Sequence, residues 1–203
     1  MQDIIKEPIT RNAKNTFNAI FDAAVDLFYK NGYHGTTVNN ITSEAGVAAG
    51  TFYLYFPSKL ALYKHILLTF SHNIRKEIAE KVSLVNNRRD KEKEGIKTFI
   101  NLARKNPQMY NIIWESLYID RELFKEYYES FAKRYVKGLN FSIQLEEVRP
   151  IDTEVISFVL MGITNFIGLK VVLDLGANND DVDYIVDQVM DLLEHGLFAK
   201  NDE

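Results

Sequence analysis

Between Gly46 and Lys59 the chain reads GVAAGTFYLYFPSK, in which the small residues Ala49, Gly50 and Thr51 precede four rings, Phe52, Tyr53, Tyr55 and Phe56. Small residues at the tip of a helix let its backbone approach another surface closely. Tyrosine hydroxyls and a lysine ammonium donate hydrogen bonds to anionic oxygens. On one helix Phe52 and Phe56, four residues apart, share a face, whereas Tyr53 and Tyr55 leave on others. That division suits nucleic acid: small residues reach base edges, and polar tips hold the phosphates. Ala49, Gly50 and Thr51 are therefore candidate base-edge residues, and Tyr53, Tyr55 and Lys59 candidate phosphate contacts. The same rings could equally form an aromatic core corner that touches no ligand.

Chemistry of this kind requires a rigid frame. Phe17, Ile20, Phe21, Ala24 and Phe28 recur at helical spacing, and the glycines of NGYHG end that helix. Thr37 then caps a short helix with Val38, Ile41 and Ala45 inward, and Gly46 closes it. A second short helix runs through AAGTFYLY, and Pro57-Ser58 opens a long one from Lys59 towards Val82. Two short helices joined at Gly46-Val47 and braced by longer ones form a helix-turn-helix. VNNRRDKEKEG, residues 85–95, reads as a polar loop or helix junction with a solvated surface. Helices follow at 96–105, 107–119, 121–145, 152–175 and 180–199, separated by Asn106-Pro107, Arg149-Pro150 and GANNDD. No segment shows strand alternation. The expected fold class is all-α.

The stretch GYHGTTVNNITSEAGVAAGTFYLYFPSKLALYKHIL closely resembles the DNA-binding segment of the tetracycline-repressor (TetR/AcrR) family. The likeness extends over about residues 15–67 and is specific, because many spaced positions agree at once. It implies a homodimeric transcription regulator, usually a repressor, that leaves a double-stranded DNA operator when a small molecule binds its C-terminal domain. Carried over by position, Thr37, Tyr53, Tyr55 and Lys59 would hold phosphates, and Asn39, Ala49, Gly50 and Thr51 would lie at or near base edges. Two residues depart from the pattern. Ala48 stands where a capping Ser is usual, at a cost of about 1 kcal/mol, and Leu60 stands where an acid is common. The implied domains are residues 1–65 for DNA, with 1–14 a flexible arm, and 66–203 for ligand binding and dimerisation.

Outside that segment the resemblance is one of layout only. TEVISFVLMGITNFIGLKVVLDLG is apolar on more than one face, and Val182, Ile185, Val189, Leu192 and Gly196 form a stripe. Such helices need partners, and a pair from each of two copies would make a four-helix bundle. The dimer is expected through residues 152–199, with Val189 and Ile163 in its seam. Met109, Tyr110, Ile113, Trp114, Leu117, Tyr118, Tyr127 and Phe131 are core residues at helical spacing and, as a group, candidates to line an apolar effector site. Gln108, Glu115 and Asn165 could anchor polar groups, with Arg104, Arg134 and Lys170 at a rim. A largely apolar, acyl-type effector fits this set better than a cationic drug.

The 203 residues carry a net charge of −4, unevenly placed. Residues 1–65 hold six Lys/Arg against five Asp/Glu, and residues 66–203 hold 18 against 23. Only the front third is electrostatically tolerant of a phosphate backbone. The chain has no cysteine, which excludes disulfides and thiolate metal sites within it. Histidines 34, 65, 72 and 195 are scattered. His65 and His72 share a helix face without a third ligand nearby. No Gly-rich phosphate loop, nucleophile elbow or HExxH is present. No metal, cofactor, catalysis or membrane span is therefore expected, and a cytoplasmic protein is the default. The alternative is a helical ligand-binding or interaction module that keeps the helix-turn-helix as scaffold.

Overall fold

The computed structural model describes residues 5–6, 8–173 and 181–197. Among them are nine helices and no strand, in agreement with the expected class. They are α1 (Arg11–Gly35), α2 (Val38–Glu44), α3 (Ala49–Tyr55), α4 (Lys59–Val82), α5 (Arg88–Lys105), α6 (Pro107–Ile119), α7 (Arg121–Gln144), α8 (Thr153–Val172) and α9 (Val182–His195). Much of the expected arm 1–14 is either described chain or the first turn of α1. Its first four residues and Glu7, the GANNDD break up to Asp180, and the end of the last expected helix lie outside the described residues.

The chain folds as two compact units. One is drawn from the N-terminal stretch to His72 together with Pro107–Tyr128; the other comprises Asn73–Asn106 and the chain from Glu129 onward. In the first, Phe17, Ile20, Ala24 and Phe28 of α1 are buried with Ile41, Phe52, Phe56, Leu62, Tyr63 and Ile66. The Tyr63 hydroxyl, within that core, donates to the Ile112 carbonyl at 2.6 Å, so a buried polar atom is satisfied by α6. Burial, then Glu115 and Tyr33, push this hydroxyl far above its ordinary pKa. It remains a neutral donor.

In the second unit Ile96 and Ile100 of α5 pack with Val171 of α8 and with Val182, Val186, Val189 and Met190 of α9. Of the polar stretch 85–95, residues 85–87 are the junction between α4 and α5, and the rest is helix. Asn87 accepts from the Asp90 amide at 2.8 Å and starts α5 at Arg88. Its charges form a ladder to α9: Arg89 with Glu194 at 2.7 Å, Lys93 with Asp187 at 2.6 Å, and Lys97 with Asp183. Positions 89, 93 and 97 share one helix face, so these solvent-accessible charges also pair along the seam with α9. Arg88 and Glu92, on another face, are nearly enclosed and pair with each other. The Tyr135 hydroxyl donates to Glu92 as well.

The apolar helix α8 is, among the described residues, the one long and apolar enough by composition to cross a membrane. Its polar side chains turn back onto their own helix: Ser157, Thr164 and Asn165 donate to the carbonyls of Glu154, Leu160 and Met161. One face of α8 is nevertheless exposed, through Val155, Phe158, Val159 and Phe166.

Candidate nucleic-acid interface

Helix α2 begins with a reciprocal cap. Thr37 Oγ1 accepts from the Asn40 amide at 3.1 Å, and Asn40 Oδ1 accepts from the Thr37 amide at 2.9 Å. Thr37 was legible as a cap in the sequence; its partner Asn40 was not singled out, although the spacing of three could have shown it. Gly46, at φ 67°, ends the helix in the left-handed region that favours glycine. The Val47 amide donates to the Thr42 carbonyl at 2.9 Å and fixes the turn. Helix α3 then starts from Ala48, which has the extended backbone of a cap and no capping side chain.

From this frame the candidate residues divide by face. Asn39, Ala49 and Gly50 are exposed, Thr37 and Tyr53 are exposed, and Thr51 and Tyr55 are half-buried. Phe52 and Phe56 are fully buried, their ring centroids 5.6 Å apart, and Phe56 lies 4.8 Å from Phe17 of α1. The core-corner reading thus holds for the phenylalanines, and the small and tyrosine residues remain on the surface. An added Cβ at Gly50 would meet nothing within 4 Å, so the surface is open there.

Lys59 behaves differently from a free surface cation. Its ammonium donates to the carbonyls of Tyr33 and Thr36, both at 2.6 Å, and sits 4.0 Å from the centre of the Tyr33 ring. A lysine at the end of a helix satisfies its last carbonyls in this way. Two of its three donors are engaged, leaving one for any other acceptor. Burial lowers its pKa, opposed by the nearby Glu115 carboxylate.

Glu115 completes this corner. Gly32, at φ 71°, breaks the regular helix near the end of α1, and the Tyr33 amide that follows donates to Glu115 Oε1 at 2.7 Å. A Cβ at Gly32 would lie 3.0 Å from the same oxygen. Expected as an anchor for an effector, Glu115 therefore braces the entry to α2 from α6. Its second oxygen, Oε2, is buried and makes no hydrogen bond with the described residues.

The candidate effector residues differ in burial. Met109, Tyr110, Ile113 and Tyr127 are buried, Trp114 and Leu117 partly so, all within the first unit. Tyr118 is 82% exposed and stands on the outer face of α6. Phe131 belongs to the second unit, where the Arg75 guanidinium lies 5.3 Å from its ring centre. The structure adds two rings that the sequence reading passed over. Trp114 lies 6.3 Å from Tyr110 and 6.5 Å from Phe124, and Phe124 lies 4.8 Å from Tyr128. Phe124 and Tyr128 are four apart on α7, one position around the helix from the pair chosen by spacing. Burial, then Tyr110, raise the Tyr128 hydroxyl pKa, so it too stays protonated.

The two residues expected in a dimer seam are engaged within their own chain. Val189 is buried against α5 of its own chain, and Ile163 packs partly buried on the same cluster. The exposed apolar residues are instead Val155, Phe158, Val159 and Phe166 of α8, with Tyr184, Leu192, Leu193 and Leu197 at the end of the chain. Among the described residues no three His, Asp or Glu side chains gather where they could hold a metal.

Comparison with known proteins bears on the front of the chain first. Residues 20–66 match the model for bacterial regulatory proteins of the tetR family. A fatty acid metabolism regulator protein of Bacillus subtilis (strain 168) is 41% identical over 68 residues, which cover 32% of this chain and 35% of that one. The HTH-type transcriptional activator FasR of Mycolicibacterium smegmatis is 27% identical over 97 residues, 48% of this chain and 44% of its own length. The match thus spans about a third to under a half of these two relatives. Among solved structures, the regulator FadR from Bacillus subtilis in complex with stearoyl-CoA aligns over 90% of this chain and 100% of its own, with a TM-score of 0.76 and 23% identity. The fatty acid degradation regulator FadR from Bacillus halodurans aligns over 96% and 100%, with a TM-score of 0.80 and 19% identity. Those two likenesses are of fold. Taken with the capped, glycine-turned helix pair at residues 37–55, the matches show that the front of this chain carries a helix-turn-helix segment like that of the tetR family of bacterial regulatory proteins.

Proposed function

We propose that the chain is a ligand-responsive, homodimeric DNA-binding transcription regulator, a repressor released from a pseudo-palindromic operator by a small, largely apolar effector. One observation carries this reading: α3 buries Phe52 and Phe56 while leaving Ala49, Gly50 and Tyr53 exposed on a tip with open space above it. A tip of that kind can enter a major groove, with Asn39, Ala49, Gly50 and Thr51 near base edges and Thr37, Tyr53 and Tyr55 at phosphates. Lys59 contributes its charge and its remaining donor to the same strand.

Two copies would place two such tips on half-sites about 34–36 Å apart. The exposed stripe of α8 supplies the seam. Gly162, which shares it, has nothing within 4 Å of an added Cβ, so a partner helix can approach closely there. The effector reading rests on the ring series Tyr110, Trp114, Phe124 and Tyr128. One solved structure of the same fold holds stearoyl-CoA, and an acyl chain suits aromatic and aliphatic walls. Release requires that the acyl ligand favour a conformation that binds the operator less well.

The test is a mobility-shift titration with the DNA flanking the coding gene, at several salt concentrations. Saturable binding that weakens steeply with salt is expected, and stearoyl-CoA should both release the DNA and change the fluorescence of Trp114, the single tryptophan. Absence of DNA binding at any salt would leave the interaction-module alternative standing. A reporter fused to the bound promoter fixes the sign, since the mycobacterial relative is named an activator.

A further inference from the structure

The helix-turn-helix carries almost no positive charge of its own. From Asn31 to Ser58 the sequence holds no lysine or arginine and one acid, Glu44. The next cation, Lys59, directs its ammonium at the Tyr33 and Thr36 carbonyls. A neutral tip is suited to reading bases. A duplex is nevertheless a polyanion, and affinity at moderate salt requires cations that displace its counterions.

Such cations lie at the other end of α3. The Lys6 amide donates to the Tyr55 carbonyl at 3.2 Å, which lays the segment before α1 against the end of the recognition helix. Phe17 packs edge-on against Tyr55, with centroids 5.7 Å apart at 89°, and so fixes the first turns of α1 at that same place. Lys6, Arg11 and Lys14 are all exposed there. Arg11 and Lys14 are three residues apart, on neighbouring positions of one helix face. Together they are half of the six Lys/Arg of residues 1–65, with Glu7 the one acid between them in sequence. We propose that Lys6, Arg11 and Lys14 form a phosphate-binding site that grips the DNA backbone beside the bases α3 reads. The inference rests on the DNA-binding reading above. Because Lys6 is tied by its main chain, changing its side chain removes charge without undocking the segment.

The experiment uses the full chain with Lys6→Gln, Arg11→Gln and Lys14→Gln combined, and Lys30→Gln as control, since Lys30 is exposed far along the same helix. Binding to a duplex selected by the wild-type protein and to one of arbitrary sequence is followed against salt. Each lost phosphate contact should reduce the slope of log K on log salt by about 0.9, hence by roughly two to three per protomer for the triple variant. The preference for the selected duplex should be unchanged, because the site reads no base. Circular dichroism confirms that the variants fold. A triple variant with the wild-type slope overturns the inference, as does a Lys30→Gln protein whose slope falls as far. If the wild-type protein binds neither duplex at low salt, the DNA-binding reading itself fails.

Discussion

The helix-turn-helix and the α8–α9 pair put similar numbers of large apolar side chains to opposite uses. In α1–α3 the phenylalanines turn inward until Phe28, Phe52 and Phe56 are wholly enclosed, and what remains outside is mostly small or polar, with Leu54 the large aliphatic exception on α3. In α8, Phe158 and Phe166 are 53% and 64% exposed while Leu160, Met161 and Val171 are buried beneath. The first region is complete within one chain and its surface is free for a polar ligand. The second buries one face internally and leaves another exposed among the described residues.

The sharpest way to break this contrast is to remove a ring from each region. Phe52→Ala should cost about 3–5 kcal/mol of stability by urea unfolding, since a fully enclosed ring leaves a cavity. Phe158→Ala should leave the stability of the monomer within about 0.5 kcal/mol, because a surface truncation makes no cavity. Equal losses in the two variants would mean that the faces are not different in kind.

A charge on the uncovered face sharpens the comparison. Phe166→Asp should convert a sedimenting dimer to monomer, and operator affinity should fall on the order of 100-fold as two linked half-site contacts become one. Val189→Asp, the substitution that sequence spacing favours, should unfold the second unit instead, since Val189 faces α5. A folded, monomeric Val189→Asp protein would restore the original seam.

How much of this was legible depended on how local the cause was. The Thr37 cap of α2, the glycine turn after it, the Phe52–Phe56 face and the break before Lys59 are signalled by residues within four positions of each other. They could be read directly. The positions of Glu115 and of the α5–α9 ladder depend on partners 82 and about 100 residues away. Neither Glu115 nor the charges of 85–95 carry a local sign of which distant group they meet. The stripe on α9 is ambiguous for a related reason: an amphipathic helix can pack on its own chain or on a partner, and periodicity alone does not say which. Phe124 and Tyr128 were missed because Tyr127 and Phe131 satisfy the same spacing one step around.

The corner between α1 and α2 offers a middle-sized test. Glu115→Ala removes the acceptor of the Tyr33 amide and should cost about 1–3 kcal/mol, whereas Glu115→Gln keeps an acceptor oxygen and should cost clearly less. Faster amide exchange at Tyr33 in Glu115→Ala alone would locate the loss. If the two variants lose stability equally, the charge beside Lys59 and not the hydrogen bond is what holds the corner.

The smallest effect concerns the two short helices themselves, which differ in one device. Helix α2 has its Thr37–Asn40 cap, and α3 begins at Ala48 with none. Ala48 already holds the extended backbone of a capping residue, φ −67° and ψ 147°, so a serine there needs no rearrangement. Its hydroxyl would face the amide of Gly50 or Thr51, at the second and third positions of the helix. Ala48→Ser should therefore add about 1 kcal/mol of stability, read from thermal or urea unfolding. The rings beneath are unaffected, so any accompanying rise in operator affinity would report a better-formed helix start. A serine variant no more stable than wild type would mean that α3 is held wholly by Phe52 and Phe56 from below, and that its first turn is fixed without help from its cap.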